Sequence, residues 1–290
     1  MKRRSEGEMN ELIIQVAKAQ SEVVAIGMNG SRANPHAPKD IFQDFDIVYV
    51  VKDMERLVKE RDWLDQFGER LLMQVPTDME LFETNSKDER VTFLMLFTDG
   101  NRIDLTLCPY SEVDHWLSED RIIKILDDPH QFLPKIWPPT DKDYWIKTPT
   151  KKLFADCCNE FFWVSTYVVK GLCRQEFLYA QDHLFSNCQM ELLRLLSWQI
   201  GEKRHYNLNL GKSYKYLPNY LSEAENQQLL ALRSFDSYES LWRSLIRTQE
   251  WFHQTAASYA FSRGFFYDGK TAEAIIEYTH EWYQKSKEQK

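Results

Sequence analysis

Positive charge is what this chain most lacks. It carries 36 Lys and Arg against 44 Asp and Glu, a formal net charge of −8. A protein that grips a phosphate backbone needs a basic face, so no nucleic-acid partner is expected. The same charge suits a polycationic small molecule, by steering. Cysteine is scarce and poorly spaced for metal or disulfide work: Cys108, Cys157, Cys158, Cys173 and Cys188 are odd in number and form no C-x-x-C pair. They read as reduced, mostly buried thiols of a cytoplasmic protein. No apolar run approaches the ~18 residues that would span a bilayer, and the first eight residues contain no apolar core of the kind a signal peptide needs. Neither secretion nor membrane insertion is expected. His36, His115, His183 and His205 show no metal-ligand spacing and read as structural or surface residues.

Proline all but disappears in the second half. Nine of the ten prolines lie at or before Pro149, and only Pro218 follows. At the same point the apolar pattern changes from a period of two to one of 3.6. A chain of 290 residues can hold two ordinary domains. The expected division is a mixed α/β domain over 1–145 and an all-helical bundle over 146–290, an α+β architecture with a small mixed sheet flanked by helices. In the second half Phe154, Cys157, Phe161, Ser165 and Val168 fall on one wide helical face, and residues 184–198, 238–261 and 271–283 repeat the pattern. Such aromatic stripes are core far more often than a cofactor box.

In the first half, Met9, Leu12, Ile13 and Val16 recur at helical spacing, and residues 23–26 form a short strand ending in the turn Gly30-Ser31-Arg32. A second strand begins at Asp44-Phe45-Asp46. Residues 62–70 predict a short helix and 71–75 a strand stopped by Pro76. Residues 90–97 and 101–107 predict a hairpin closed by a two-residue Asp99-Gly100 turn. Val113, Trp116, Leu117, Ile122, Ile123 and Leu126 predict one or two helices over 112–126.

Three acidic residues stand out against this framework. Side chains alternate along a strand, so Asp44 and Asp46 share a face with Cα atoms roughly 6–7 Å apart. Two carboxylates that close repel by about 2–3 kcal/mol at an effective dielectric near 20. A buried strand that begins so invites a cation, and hard oxygen ligands favour Mg²⁺. Asp104 lies midway along a later strand with Arg102 and Thr106 on its face. A metal-binding carboxylate pair, a third acid and a Gly-Ser turn whose amides can hold phosphates together suit in-line nucleotidyl transfer.

Gly30-Ser31, Asp44-x-Asp46 and Asp104 resemble the nucleotidyltransferase signature shared with DNA polymerase beta. The stretches NGSRANP (29–35), FQDFDIVYVV (42–51), DMELF (78–82), DGNRIDLTL (99–107), YWIKTPT (144–150) and CCNEFFWVSTYVVKGL (157–172) resemble the aminoglycoside 6-adenylyltransferases. The likeness runs from about Glu8 to the last helix. It implies an enzyme that moves AMP from ATP to a hydroxyl of an aminoglycoside, streptomycin at its 6-position, releasing pyrophosphate and conferring resistance. It implies ATP as co-substrate, Mg²⁺ as metal (two ions) and a cationic aminoglycoside as acceptor, with no obligate protein partner. The catalytic and metal residues would be Asp44, Asp46 and Asp104. For Asp104 the readings are metal ligand, general base, or ion pair with Arg102, and the resemblance favours the first two.

Gly30 and Ser31 would hold the triphosphate, although Ser31 reads equally as a helix N-cap, and Arg32 as a nucleotide ligand or an ordinary turn residue. In the helical half Lys170 and Lys215 are the better candidates for the triphosphate, with Arg174 and Lys212 behind them. Gly211-Lys212-Ser213 mimics the end of a P-loop, but Tyr206 stands at the first glycine position and no strand precedes it. Asp156, Glu160 and Asp182 are candidate ligands for the cationic acceptor, with a solvated helix face as the competing reading. Two rival functions remain at this stage: a nucleotidyltransferase with another small molecule or a protein as acceptor, and a non-catalytic nucleotide-binding or antitoxin-like module.

Overall fold

The computed structural model describes residues 2–81 and 89–288. Phe82, the last residue of DMELF, lies outside the described residues. The chain divides into two compact units, Met1–Asp143 and Tyr144–Lys290.

The first unit opens with α1 (Glu6–Lys18), capped reciprocally by Ser5 and Glu8 and burying Met9, Ile13, Val16 and Ala17. Then follow β1 (Val23–Met28), the one-turn helix α2 (Gly30–Ala33), β2 (Phe45–Val51) and α3 (Glu55–Lys59). A 3₁₀ helix (Arg61–Phe67) leads to β3 (Arg70–Gln74), and β4 (Val91–Phe97), β5 (Arg102–Pro109), α4 (Val113–Glu119) and β6 (Lys124–Asp127) complete the unit. The six strands lie in the order β3-β4-β5-β2-β1-β6. The β2–β5 pair is parallel and every other pair antiparallel.

Alternation along the strands divides the core between the two faces of the sheet. Phe45, Ile47, Tyr49 and Val51 pack with Phe93, Ile103, Leu105 and the apolar face of α1. The opposite row, Val48 and Val50, packs with Val24, Cys108 and Trp116 of α4. Asp46 continues the Val48–Val50 row towards the start of β2, where that smaller core ends.

Two local expectations are corrected. Residues 112–126 are not all helical: α4 stops at Glu119, and β6 pairs with β1. Ile122 and Ile123 join opposite cores, the period of a strand, which the helical reading overlooked. The hairpin turn has three residues rather than two. Phe97 N–H donates to Asn101 O at 2.9 Å, and Gly100 N–H to Phe97 O at 2.9 Å. Gly100 sits at φ +79°, the left-handed residue that closes a three-residue loop. Asp99 anchors that loop, accepting from Arg4 Nε at 2.6 Å and from Asn101 Nδ2 at 2.9 Å. The predicted helix over 62–70 is the 3₁₀ turn, and Arg70 already belongs to β3.

The second unit contains α5 (Lys151–Cys173), α6 (Phe177–Asp182), a π-helical turn (His183–Cys188), α7 (Gln189–Lys203), α8 (Glu223–Ala231), α9 (Tyr238–Arg263) and α10 (Gly269–Glu288). All six strands of the described residues lie in the first unit. Phe161 of α5 and Phe252 of α9 stack with centroids 3.7 Å apart. Buried Gln249 of α9 donates to Ser165 of α5 and Thr279 of α10, both at 3.0 Å, which fixes the register of three helices. All five cysteines are free and four are buried. Among the described residues no helix is long and apolar enough to cross a membrane.

Candidate active site

β1 ends at Met28, and the chain turns at once into α2. Asn29 N–H donates to Asp46 O at 2.8 Å, which sets the turn beside the start of β2. Gly30 takes φ +68°, and a Cβ built there would lie 1.9 Å from Asp46 Oδ2. Only glycine lets the turn and the carboxylate approach this closely. Gly27 makes a second close approach, since a Cβ there would fall 2.4 Å from the Trp116 ring. The Trp116 indole N–H donates to Asn29 Oδ1 at 3.0 Å, so α4 braces the turn from the sheet side. The sequence leaves Asn29 open between an ordinary turn residue and a functional one, and shows Trp116 as one of several helix-forming apolar residues. Gly27 inside an apolar strand was the available signal of a close packing partner.

The parallel register pairs Asp46 of β2 with Asp104 of β5, and Asp44 precedes β2 by one residue. As a result one oxygen each from Asp44, Asp46 and Asp104 lie within 4.8 Å of one another. Among the described residues this is the one group of three acidic, His or Cys side chains that could hold a metal. Burial, then the charges of Asp44 and Asp104, push Asp46 up to about 6. Arg102 counters part of the charge: its Nε and Nη2 each donate to Asp104 at 2.7 Å, and Nε lies 3.8 Å from Asp44 Oδ2. The hydrogen bonds to Asp104 raise the Arg102 pKa. The donor set is all carboxylate oxygen, the half-buried Asp46 is strained by like charge, and Gly30 leaves the approach to it open. These residues fit a hard divalent cation.

The other sequence candidates have these surroundings. Ser31 is not a helix cap, because Asn29 occupies the cap position of α2; Ser31 lies inside the helix and is partly exposed. Arg32 donates through Nε to Asp44 O at 3.0 Å and through Nη2 to Gln43 O at 2.8 Å. In the second unit, the Lys170 ammonium lies 4.5 Å from the Tyr167 ring centroid, and that of Lys215 lies 5.0 Å from the Tyr216 ring. Asp156 is exposed and paired with Lys152 of its own helix at 2.9 Å. Glu160 is exposed on the next turn, and Asp182 accepts from Ser186 Oγ at 2.9 Å. These three acids do not converge as Asp44, Asp46 and Asp104 do. The Gly211-Lys212-Ser213 stretch is a short 3₁₀ turn (Lys212–Tyr214), not a strand-to-helix phosphate loop. His36 contacts Asp141 at 3.1 Å and His115 contacts Glu112 at 3.1 Å.

Known proteins resemble this chain over most of its length. An aminoglycoside 6-adenylyltransferase from Campylobacter jejuni is 40% identical over 276 residues, covering 94% of this chain and 95% of that protein. One from Bacillus subtilis (strain 168) is 41% identical over 265 residues, covering 91% and 92%. One from Staphylococcus aureus is 40% identical over 242 residues, covering 83% and 86%. A crystal structure of an aminoglycoside 6-adenyltransferase from Bacillus subtilis is 36% identical and covers 97% of this chain and 99% of that one, with a TM-score of 0.48. The sequence matches carry the assignment. A profile of the streptomycin adenylyltransferase family matches residues 3–282, and the chain belongs to that family.

Proposed function

We propose that this adenylyltransferase transfers AMP from ATP to a hydroxyl of an aminoglycoside, streptomycin at its 6-position, in the cytoplasm, and so protects its host from the drug. The observation that carries the reading is the convergence of Asp44, Asp46 and Asp104 within 4.8 Å beside a turn that only glycine permits. The names of the relatives supply the acceptor class. The acceptor oxygen attacks the α-phosphorus, and its proton would pass to Asp104 as general base while the O–P bond forms. The bond from the α-phosphorus to the bridging oxygen breaks, and pyrophosphate leaves.

Asp44 and Asp46 would hold a divalent cation, with Asp104 completing the site on the neighbouring strand. When bound, Mg²⁺ supplies neutralisation of the triphosphate and a lower pKa for the acceptor hydroxyl. The amides of the Gly30–Ser31 turn present donors to the phosphates. Lys170 and Lys215 are the proposed cations for the triphosphate from the helical unit. Glu160 and Asp182, and Asp156 on release from Lys152, are proposed to recognise the guanidinium groups of the acceptor, because a guanidinium prefers planar, two-point carboxylate partners.

Purified protein incubated with ATP, MgCl₂ and a panel of aminoglycosides should release pyrophosphate and yield an AMP adduct of streptomycin by mass spectrometry. Absence of pyrophosphate with every aminoglycoside, at protein concentrations approaching that of substrate, would overturn the reading.

A further inference from the structure

We propose that Arg32 is a positioning residue: its guanidinium fastens the segment carrying Asp44 to the Gly30–Ala33 turn and to α1, and so holds the carboxylate pair ready for a divalent cation. This rests on the reading of Asp44 and Asp46 as ligands of that cation.

The position of Arg32 in the Gly-Ser-Arg turn suggested a phosphate ligand, but its surroundings serve another purpose. The side chain is only 7% exposed. Two of its nitrogens donate to consecutive backbone carbonyls, Nη2 to Gln43 at 2.8 Å and Nε to Asp44 at 3.0 Å. Its Nη1 lies 3.3 Å from Glu6 Oε2, in the first turn of α1. Its flat face lies 3.8 Å from the centroid of the fully buried Phe45 ring. Burial disfavours the charge, and the carbonyls, the carboxylate and the ring compensate for it. A guanidinium with a ring on its face and its nitrogens committed to three protein oxygens has little left for a phosphate.

What this arrangement fixes is direction. Two parallel N–H donors on one rigid plane set the orientation of two successive peptide units, and no single point charge can do that. Those peptides are the ones entering β2, and the Asp44 side chain leaves from the Cα that joins them. Asp46 is already held by the sheet register and by Asn29. Asp44 lies one residue outside the strand, and Arg32 restrains it there through its carbonyl.

The test measures metal binding directly, apart from turnover. Mn²⁺ binding without nucleotide is followed by calorimetry for the wild type, Arg32→Lys, Arg32→Gln and Glu6→Gln. For each protein kcat and the KM for ATP are measured at saturating Mg²⁺. Outer partners that orient metal ligands typically change metal affinity by about 10–100-fold when removed. Arg32→Lys should therefore bind Mn²⁺ about tenfold or more weakly and lose kcat, with the KM for ATP within about twofold of wild type. Glu6→Gln, which leaves both carbonyl bonds in place, should shift Mn²⁺ affinity in the same direction by about two- to threefold. Should Arg32→Gln fail to fold, the Lys and Glu6 variants decide the matter. Unchanged Mn²⁺ affinity in Arg32→Lys, with a KM for ATP raised about tenfold, would make Arg32 a phosphate ligand and overturn the proposal. Failure of the wild type itself to bind Mn²⁺ would instead reject the carboxylate-metal reading.

Discussion

The two units of this chain handle polar groups in opposite ways. In the first, three carboxylates are gathered at the start of β2 and on its neighbour β5, with the Arg102 guanidinium paired to Asp44 and Asp104. In the second, the side chains given polar work in the interior are neutral. Gln189 Nε2 donates to Leu232 O at 2.7 Å, and Tyr206 and Tyr259 share a hydrogen bond at 2.8 Å. The charged groups singled out there sit on the surface, as the Asp156–Lys152 pair does. Buried like charge opposes folding unless a bound cation offsets it, whereas neutral networks specify packing. The contrast fits the proposed division, with chemistry at the sheet and recognition on the helices.

The sharpest way to break this contrast is to neutralise one of the half-buried carboxylates. Asp46→Asn and Asp44→Asn should each fold and lose at least roughly 10²–10³ in turnover, the scale for removing one group that meets developing charge. Near-wild-type turnover in either variant would leave the sheet without its assigned role. Asp46→Asn should also unfold at equal or higher denaturant concentration than wild type in metal-free buffer at pH 7.5, because like-charge repulsion is relieved.

A smaller effect is expected from crowding the same carboxylate without changing any charge. Gly30→Ala places a methyl group where Asp46 Oδ2 now lies, at a φ that disfavours alanine. Turnover should fall by roughly 10²-fold, at most, and Mn²⁺ affinity with it, since the acid must move. Stability should fall by about 1 kcal/mol or more. Wild-type Mn²⁺ affinity in this variant would show that the turn and the acid are not coupled.

On the helical side the expected change lies in substrate selection. Glu160→Gln and Asp182→Asn should raise the KM for streptomycin by around tenfold, leaving the KM for ATP and Mn²⁺ binding as they are. A desolvated charged hydrogen bond is worth roughly 1.5–3 kcal/mol, an exposed pair under about 1. If both variants keep the wild-type KM for every aminoglycoside tried, these acids are solvated helix surface and recognition lies elsewhere.

The smallest effect concerns ordinary surface charge, remote from any role. Glu22 accepts from Arg56 Nη2 at 2.8 Å, and these hydrogen bonds lower its pKa to about 2 from an ordinary value of 4.5. A depressed carboxylate stabilises the fold above its unfolded pKa, and that contribution fades as pH falls from about 4.5 towards 2. Denaturation midpoints of Glu22→Gln and wild type should therefore differ slightly at pH 7 and converge near pH 2. A gap that stays constant across this range would mean the pair does not act through its charge.

Much of this was legible in the residues. Asp44, Asp46 and Asp104 were found from period-two alternation and the implausibility of adjacent acids heading a buried strand. The helical half followed from its 3.6-residue period and the end of the prolines near Pro149. β6 was misread because a short segment that pairs along one edge carries little periodic signal of its own. Trp116 could be seen as apolar, but its bond to Asn29 could not, since the two are 87 residues apart.

The sequence by itself determined the alternation that gives each acid its face, the glycine that the turn requires and the family to which the chain belongs. Only the tertiary structure decided that β2 and β5 run parallel with Asp46 beside Asp104, that Arg102 lies among the carboxylates, and that Arg32 turns inward to the Gln43 and Asp44 carbonyls. The reason is physical. A side chain's face along a strand is set by local backbone geometry, whereas register and guanidinium partners are set by contacts between segments far apart in the chain, chosen when the sheet and its cores close together.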